Sequence, residues 1–411
     1  LFGYSALATD LPAFSAEDVF EMEYANDPQV SPDGSRVAYV RSSMDIMTDR
    51  TRRTIWVVDV NGDNHRPLVS GAGNFSSPRW SPSGDRLAYL SNTEGKTQLF
   101  VQWLDGGETA KVTTLPQSPR SIVWSPDGKH IAFTRFVPAP PPTLADMPAK
   151  PKGAKWAEPA TVVDRMTFRF DGGGYLPTGN QQVFVVPADG GTPRQMTSGD
   201  YPISGSVSWM PDSQSIFFSS NRRENVEYHP RQNDLYAASM TTGELTQMTD
   251  HAGPEGNPAV SPNGRYLAYT SAADIRQGYN RAELRVMDLT SGESRSLTAD
   301  LDRSVSDIQW SADSKSVWIR YNDVGMARIA EVDLKGNLKQ ADVVLGGTAL
   351  GRPYTSGTFS VGGKDRIAYT LGRDDRPADL ALMRSGKPAL QLTDLNSDVM
   401  GQREMSRVER M

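Results

Sequence analysis

The stretch Ser31-Pro32-Asp33-Gly34, with the apolar run Val37-Ala38-Tyr39 shortly after it, is one copy of the motif that decides the fold. The pattern recurs along the chain. Later copies begin at Ser81, Ser125, Met210, Ser261, Ser311 and, in degenerate form, Ser360. Proline followed by Asp-Gly favours a tight turn, and a continuous apolar run indicates a strand covered on both faces. These copies therefore predict seven structural repeats.

The residue just before each turn is also apolar. It is tryptophan in four copies and another apolar residue in the rest: Val30, Trp80, Trp124, Trp209, Val260, Trp310 and Phe359. Half of the eight tryptophans thus occupy one repeat position. A shared position favours packing between repeats over a ligand platform.

Each repeat continues with a second hairpin that ends in a Leu-Thr-like pair. The examples are Ile55 to Val60 with a turn at Asn61-Gly62, Leu284 to Leu289 with a turn at Ser291-Gly292 and the end Leu297-Thr298, and Leu380 to Met383 with a turn at Ser385-Gly386 and the end Leu392-Thr393. Two hairpins in a repeat of about 50 residues give four strands. The sequence predicts an all-β fold, a seven-bladed β-propeller with four-stranded antiparallel blades over residues 31–393.

Three segments depart from the repeat. The third and fourth turns are 85 residues apart, which predicts an insertion at residues 136–180 in blade three, with a proline-rich loop at 136–160 and the blade resuming around 162–170 and 182–186. Within residues 1–30, the segment 14–27 is expected to form a short helix capped by Ser15 and Asp18. Residues 394–411 have no periodicity and are interpreted as a linker.

Composition excludes several classes of function. Lys+Arg 43 against Asp+Glu 49 gives a net charge of −6, which argues against nucleic-acid binding. The absence of cysteine excludes disulfides, thiolate zinc sites and cysteine nucleophiles. No run approaches the roughly 18 apolar residues of a membrane span. Ala6-Leu7-Ala8 has the form of a signal-peptidase site, so we expect a periplasmic or secreted protein, with a cytoplasmic location as the alternative.

Catalytic motifs are missing from the sequence. The nearest approach to G-x-S-x-G is Gly292-Glu293-Ser294-Arg295-Ser296, which lacks the second glycine. The histidines are scattered over predicted loops and hairpins: His65, His130, His229 and His251. We therefore expect no catalytic residue, cofactor or metal site in this chain.

Two polar clusters break the blade pattern. The first is a long charged connection in blade four, with Arg222, Arg223, Glu224, Glu227 and Tyr228. The second follows the insertion and contains Arg165 and Arg169. Such clusters could bind a peptide terminus, with glutamate facing an amine or arginine facing a carboxylate. The alternative is that both are solvated loops.

The serial Ser-Pro-Asp-Gly hairpins, the insertion from Lys155-Trp156 through Phe168-Arg169-Phe170-Asp171-Gly172, and the ending Leu392-Thr393-Asp394 resemble the propeller half of the prolyl oligopeptidase (S9) family of serine peptidases. The resemblance is to the bacterial acylaminoacyl-peptidase and dipeptidyl-peptidase branch. It implies a partner α/β-hydrolase domain carrying the Ser-Asp-His triad, and a propeller that admits short peptides. In the dipeptidyl-peptidase members, adjacent propeller glutamates hold the substrate amino terminus. Glu224 and Glu227 match that pair only in general location.

The alternative from another class is a stand-alone protein-binding propeller of the periplasmic Tol type. That family places a separate domain before six shorter blades, whereas seven repeats begin near residue 31 here. Assembly as a homo-oligomer stays open in either case.

Overall fold

Seven four-stranded antiparallel sheets follow one another in the computed structural model, which describes residues 11–146, 148–157, 160–275, 277–347, 356–363, 366–384, 387–406 and 409. In each sheet the strands pair in the order in which they occur in the chain. First strands of neighbouring sheets contact one another, so they surround a central axis and the fourth strands lie at the rim. This is a seven-bladed β-propeller, which confirms the predicted fold class.

The first three blades have these bounds. Blade one contains Glu23–Val30, Arg36–Asp45, Arg50–Asp59 and Arg66–Val69. Blade two contains Phe75–Trp80, Arg86–Ser91, Gln98–Trp103 and Thr109–Lys111. Blade three contains Pro119–Trp124, His130–Pro138, Gly179–Pro187 and Arg194–Gln195.

The remaining blades follow at regular intervals. Blade four contains Ile203–Trp209, Ser215–Ser220, Asp234–Ser239 and Leu245–Gln247. Blade five contains Glu255–Val260, Tyr266–Ser271, Glu283–Asp288 and Ser294–Ser296. Blade six contains Val305–Trp310, Ser316–Asp323, Met326–Asp333 and Leu338–Gln340. Blade seven contains Phe359–Gly362, Arg366–Leu371, Asp379–Arg384 and Lys387–Gln391.

The recurring turn joins the first and second strands of a blade, and its serine organises it. The buried Ser125 Oγ accepts a hydrogen bond from the backbone N–H of His130 at 2.9 Å and donates one to Asp127 at 2.5 Å. Gly128 has φ of +69°, in the left-handed region that glycine tolerates best. Serine, acid and glycine thus each have a separate task in closing the turn.

The tryptophans before the turns join adjacent blades. Each indole N–H donates to a backbone carbonyl of the preceding blade at 2.8–3.2 Å, and the four pairs are Trp80 with Gln29, Trp124 with Arg79, Trp209 with Val123, and Trp310 with Ala259. All four rings are buried. The predicted inter-blade packing role is confirmed.

Blade seven corrects one assignment. Its equivalent of Trp80 is Val361 rather than Phe359, because Val361 pairs with Ile367 as Trp80 pairs with Leu87. The degenerate turn is one residue shorter than the others, which shifts the alignment. The turn expected at Ser385-Gly386 in this blade lies outside the described residues.

The Leu-Thr-like pair at the end of a repeat also has a physical basis. The threonine is buried, and its Oγ1 accepts a hydrogen bond from a third-strand N–H at 2.9–3.0 Å. This bond forms in five blades, between Leu99 and Thr113, Val183 and Thr197, Leu235 and Thr249, Leu284 and Thr298, and Leu380 and Thr393. It fixes the end of the fourth strand against the blade.

The ring closes by packing blade seven against blade one, without exchange of a strand. The N–H of Ala25 donates to the carbonyl of Ala378 at 2.8 Å, and the N–H of Val30 donates to Ser360 Oγ at 2.9 Å. A cluster that includes Tyr39, Leu380 and Leu382 supplies the apolar contact. Closure therefore depends on side-chain packing and a few hydrogen bonds.

The flanking segments differ from expectation. The helix is a 3₁₀ turn, Glu17–Glu21, and not a helix over 14–27; Glu23 already begins the first strand, ahead of the predicted bound at residue 31. Ser15 and Asp18 do exchange the predicted capping hydrogen bonds. The segment after Gln391, interpreted as a linker, contains the helix Ser397–Met400. Within the described residues, no helix has the length and apolar character to cross a membrane.

The insertion leaves blade three between its second and third strands. These strands pair from His130 with Pro187 to Pro138 with Gly179, so the segment outside the blade is 139–178 rather than 136–180. The prediction that blade three resumes around residues 162–170 is wrong, because its third strand is Gly179–Pro187. Only a small hairpin of Arg169–Phe170 and Gly174–Tyr175 interrupts the described part of this segment.

Candidate functional site

One face of the propeller carries both polar clusters. Because the strands of a blade alternate in direction, the start of the first strand, the second-to-third connection and the end of the fourth strand lie at the same face. We call this the terminal face, since the chain enters blade one there at Glu23 and leaves blade seven there at Gln391. The insertion 139–178 and the blade-four connection 221–233 are both second-to-third connections. The Ser-Pro-Asp-Gly turns lie at the opposite face.

The two clusters meet at the strand connection between blades three and four. Arg165 Nη2 of the insertion lies 2.7 Å from Asp200 Oδ2, and Asn180 donates to the other oxygen at 2.7 Å. The next residue, Tyr201, lies under Arg222, whose guanidinium carbon is 4.7 Å from the ring centroid. The fold thus brings Arg165 and Arg222 to neighbouring residues of one short segment.

Arg222 is held between two aromatic rings. Besides Tyr201, it faces the buried Tyr236 with 5.6 Å between the guanidinium carbon and the ring centroid. Its Nε and Nη2 are buried and have no hydrogen-bond partner among the described residues. Burial lowers the pKa of Arg222, and the neighbouring tyrosines oppose that shift.

Arg223, one residue later, has three acceptors at its Nη2, although its Nε is also buried without a hydrogen-bond partner in the described structure. Its Nη2 lies 3.2 Å from Asp234 Oδ1, 3.0 Å from Asp250 Oδ1 and 3.3 Å from the carbonyl of His251. Burial acts to lower the pKa of Arg223, but the two carboxylates outweigh it and the pKa is raised. The pKa of Asp234 is raised because burial outweighs the nearby guanidinium. Arg223 therefore anchors the connection to blade four.

The other predicted residues face solvent. Glu224 and Arg169 are exposed, Tyr228 is 71% exposed, and Glu227 is half-buried at the one-turn 3₁₀ helix Val226–Tyr228. None of these side chains makes a hydrogen bond or ion pair within the described part of the chain. Their role in binding stays a prediction.

Several residues of this face were not singled out from sequence. Tyr201 and Tyr236 form the walls around Arg222, while Asp234 and Asp250 bind Arg223. The repeat contained one signal, because Asp234 stands where blades two and three have Gln98 and Gln182 beside the same threonine. A buried acid in place of a neutral amide marks an electrostatic partner nearby.

Glu255 is a further buried acid next to this group. It begins the first strand of blade five, is 2% exposed, and leaves Oε2 without a hydrogen-bond partner in the described structure. Burial raises the pKa of Glu255 to about 7, a hydrogen bond from Thr249 and the charge of Arg285 oppose the shift, and Asp234 adds to it. The carboxyl group therefore changes charge near neutral pH.

The hairpin of the insertion exposes apolar side chains on the terminal face. Phe170 and Tyr175 are 61% and 63% exposed, and Phe168 is 42% exposed. The rings of Phe168 and Tyr175 lie 6.1 Å apart. Clustered exposed aromatic groups of this kind are typical of interaction surfaces.

Comparisons with known proteins agree with this architecture. A sequence profile described as the TolB beta propeller domain matches residues 8–138, and one described as the dipeptidyl peptidase IV N-terminal region matches residues 155–274. The uncharacterized peptidase YuxL of Bacillus subtilis is 27% identical over 409 residues, which are 95% of this chain and 60% of that protein. Dipeptidyl-peptidase 5 of Porphyromonas gingivalis is 26% identical over 326 residues, which are 76% of this chain and 46% of that protein.

Among solved structures, the acylaminoacyl peptidase of Pyrococcus horikoshii superposes with a TM-score of 0.70 at 18% identity, over 93% of this chain and 54% of that chain. This chain spans about half the length of these relatives. The fold and these matches indicate a β-propeller of the type found in peptidases. Over most of its length the chain is similar to the propeller part of peptidases of the prolyl oligopeptidase (S9) family, as the sequence resemblance predicts.

Proposed function

We propose that this propeller is the non-catalytic, substrate-admitting part of a serine peptidase of the acylaminoacyl- or dipeptidyl-peptidase type, and that its terminal face covers an α/β-hydrolase domain of the same protein. One observation carries the proposal. The longest connections, the exposed aromatic patch of Phe168, Phe170 and Tyr175, and both chain segments that flank the ring share one face. A domain joined to either segment would meet that face first.

The coding sequence after Met411 provides the first test. A downstream α/β-hydrolase domain with a G-x-S-x-G motif supports the proposal. A stop codon in its place would favour the Tol-type binding propeller, which is supported here by a profile match confined to residues 8–138.

The 411-residue chain itself should not hydrolyse peptides. The assay uses chromogenic acyl-peptide and aminoacyl-proline substrates with the purified chain. Turnover that a serine-directed phosphonate abolishes would reveal a catalytic site in the propeller and contradict the non-catalytic role.

Admission of substrate is tested in the two-domain protein that the proposal describes. Replacing residues 140–177 by a short Gly-Ser turn keeps the hydrogen bond between Ala139 and Thr178 that closes the strand pair. The change should raise kcat/KM for long peptides relative to a dipeptide substrate, because a second-to-third connection at the covered face is removed. A matched control replaces the turn at Asn61-Gly62, which lies at the opposite face. An unchanged ratio of long to short substrates would contradict gating by the insertion.

The two glutamates of the blade-four connection, Glu224 and Glu227, are proposed to recognise a free amine. Glu224→Gln and Glu227→Gln should then raise KM for peptides with a free amino terminus and spare acyl-blocked peptides. If neither substrate is affected, the connection is a solvated loop.

Export is proposed on the Ala6-Leu7-Ala8 pattern, which lies outside the described residues. Fractionation of cells that express the full gene separates a periplasmic or secreted protein from a cytoplasmic one. Light scattering of the same material determines whether it forms a homo-oligomer.

A further inference from the structure

Arg222 has an environment that its own chain leaves incomplete. Its Nε and Nη2 are buried without a hydrogen-bond partner in the described structure, and its plane lies over Tyr201 and beside Tyr236. Removing a cation from water without a partner is costly, and stacking on aromatic rings offsets only part of that cost. An anion that brought a negative charge to this guanidinium would therefore be stabilised here.

The nearby carboxylates are engaged elsewhere. Asp200 is bound by Arg165 and Asn180, and Asp234 is bound by Arg223. Glu224 is exposed and makes no contact with Arg222 in the part of the chain that the structure describes. Among the described residues, these carboxylates therefore leave the guanidinium of Arg222 without an acidic partner.

The geometry also limits the kind of anion. Arg222 is half-buried and its Nε and Nη2 are buried, so an external ligand would reach the guanidinium at its remaining nitrogen, Nη1. A planar fork suits a carboxylate or a phosphate. The charge of the other arginine of the connection, Arg223, is already paired with two carboxylates, so one positive charge is offered and a singly charged group matches it. Tyr201, which is 36% exposed, adds a flat wall against which a peptide can lie.

We propose that Arg222, with Tyr201 and Tyr236, forms a binding site for a peptide carboxylate, supplied either by the C-terminus or by an acidic side chain. This deepens the proposed function, since it names the chemical group that the terminal face recognises. It does not require a hydrolase domain, so binding to the propeller can succeed or fail independently of the proposed peptidase activity.

The test measures binding to the 411-residue chain by isothermal titration at low salt. The probes are acetyl-Ala-Ala-Ala with a free carboxylate, the same peptide as its C-terminal amide, and acetyl-Ala-Asp-Ala amide. Binding of the first probe alone identifies the C-terminus as the source, and binding of the third identifies an acidic side chain. The neutral amide should bind at least tenfold more weakly than the probe that is recognised, because a charge-assisted hydrogen bond is lost.

Variants separate this site from general surface charge. Arg222→Gln should weaken binding of the carboxylate probe at least tenfold, and Arg222→Lys should recover only part of it, because lysine keeps the charge without the fork. Arg169→Gln is the matched control, since it removes the same charge from an exposed position on the same face and should change binding less than twofold.

A thermal melt excludes a merely structural role. Arg222 has no ion pair within the described residues, so Arg222→Gln should leave the melting temperature within a few degrees of the parent. Arg223→Gln should lower the melting temperature clearly, because it leaves the buried Asp234 without its ion-pair partner. Equal binding of the carboxylate and amide probes, or unchanged binding after Arg222→Gln in a chain that melts normally, would overturn the proposal.

Discussion

Arg403 donates two hydrogen bonds to the carboxylate of Asp18, from Nε to Oδ2 at 2.8 Å and from Nη2 to Oδ1 at 2.7 Å. Other contacts extend this pairing across the terminal face. The Asn396 side chain exchanges two hydrogen bonds with the backbone of Glu23, both at 2.8 Å, and the N–H of Glu404 donates to the carbonyl of Pro12 at 2.9 Å. The segments before and after the ring therefore form one unit, which clasps the open junction between blades seven and one.

Asp18→Asn should loosen this clasp without unfolding the propeller. The Arg403 guanidinium and the Ser15 backbone hold the pKa of Asp18 well below its usual range. The stabilisation from this pair is therefore fully present above the ordinary carboxyl pKa, and it is lost as the pH falls toward the lowered pKa of the folded protein. Hydrogen exchange should show faster exchange at residues 13–22 and 397–404 in the variant, with blade strands unchanged. Asp398→Asn is the control, because the Asp398 side chain is exposed in the helix Ser397–Met400 of the same flanking segment. Equal exchange in parent and Asp18→Asn would contradict the clasp.

The inter-blade tryptophans should dominate stability. Trp124→Ala removes a buried ring and its hydrogen bond to Arg79, and should cost about 3–5 kcal/mol in the free energy of unfolding. Trp124→Phe keeps most of the apolar contact and should cost less, roughly 1 kcal/mol from the lost hydrogen bond together with a smaller packing loss. Denaturant unfolding measures both changes.

Trp156 provides the matched control for this series. It lies in the insertion and is 40% exposed, so Trp156→Ala should change the unfolding free energy by no more than about 0.5 kcal/mol. Comparable losses at Trp124 and Trp156 would contradict the assignment of the tryptophan position to the blade interface.

The fold was predictable from sequence because its physical requirements repeat. In most blades a buried serine, an acid or asparagine and a residue that accepts positive φ close the turn, and in four blades an indole at a fixed position binds the previous blade, so similar residues recur where the same role recurs. The register of blade seven was mistaken because its turn, after Val361, lacks the Ser-Pro start and is one residue shorter. A repeat can be recognised from sequence only where the residues that close its turn and pack its blade are present.

The candidate site was predictable only in part. A charged connection that breaks the repeat drew attention to Arg222 and Arg223, but sequence treats the two as equivalent. Their difference arises from Tyr201, which the connection between blades three and four places under Arg222, and from Asp250, which lies 27 residues after Arg223. Contacts across blades and between the chain's two flanking segments have no periodic signal. They follow from closure of the ring, which pairs residues as distant as Asp18 and Arg403.

The charge of Glu255 is coupled to the free energy of unfolding. Burial raises its pKa to about 7 in the folded chain, above the ordinary value of 4.5, so the folded protein binds more protons than the unfolded one between these values. This group's contribution to stability is therefore fully present below about pH 4.5 and is lost as the pH rises through 7.

Glu255→Gln should remove this dependence. The neutral amide has nearly the same shape as the protonated acid, so the variant should match the parent at pH 5 and exceed it at pH 8 by roughly 1–3 kcal/mol, since each pKa unit corresponds to about 1.4 kcal/mol. The charges that face this carboxyl are Asp234, Arg285 and Arg223, so each variant is compared with the parent at each pH in urea titrations. Glu224→Gln, at an exposed position, serves as the control and should leave the difference between pH 5 and pH 8 unchanged. If Glu255→Gln has the same effect at both pH values, the carboxyl group is not titrating near neutrality, and the unpartnered Oε2 would reflect packing rather than charge.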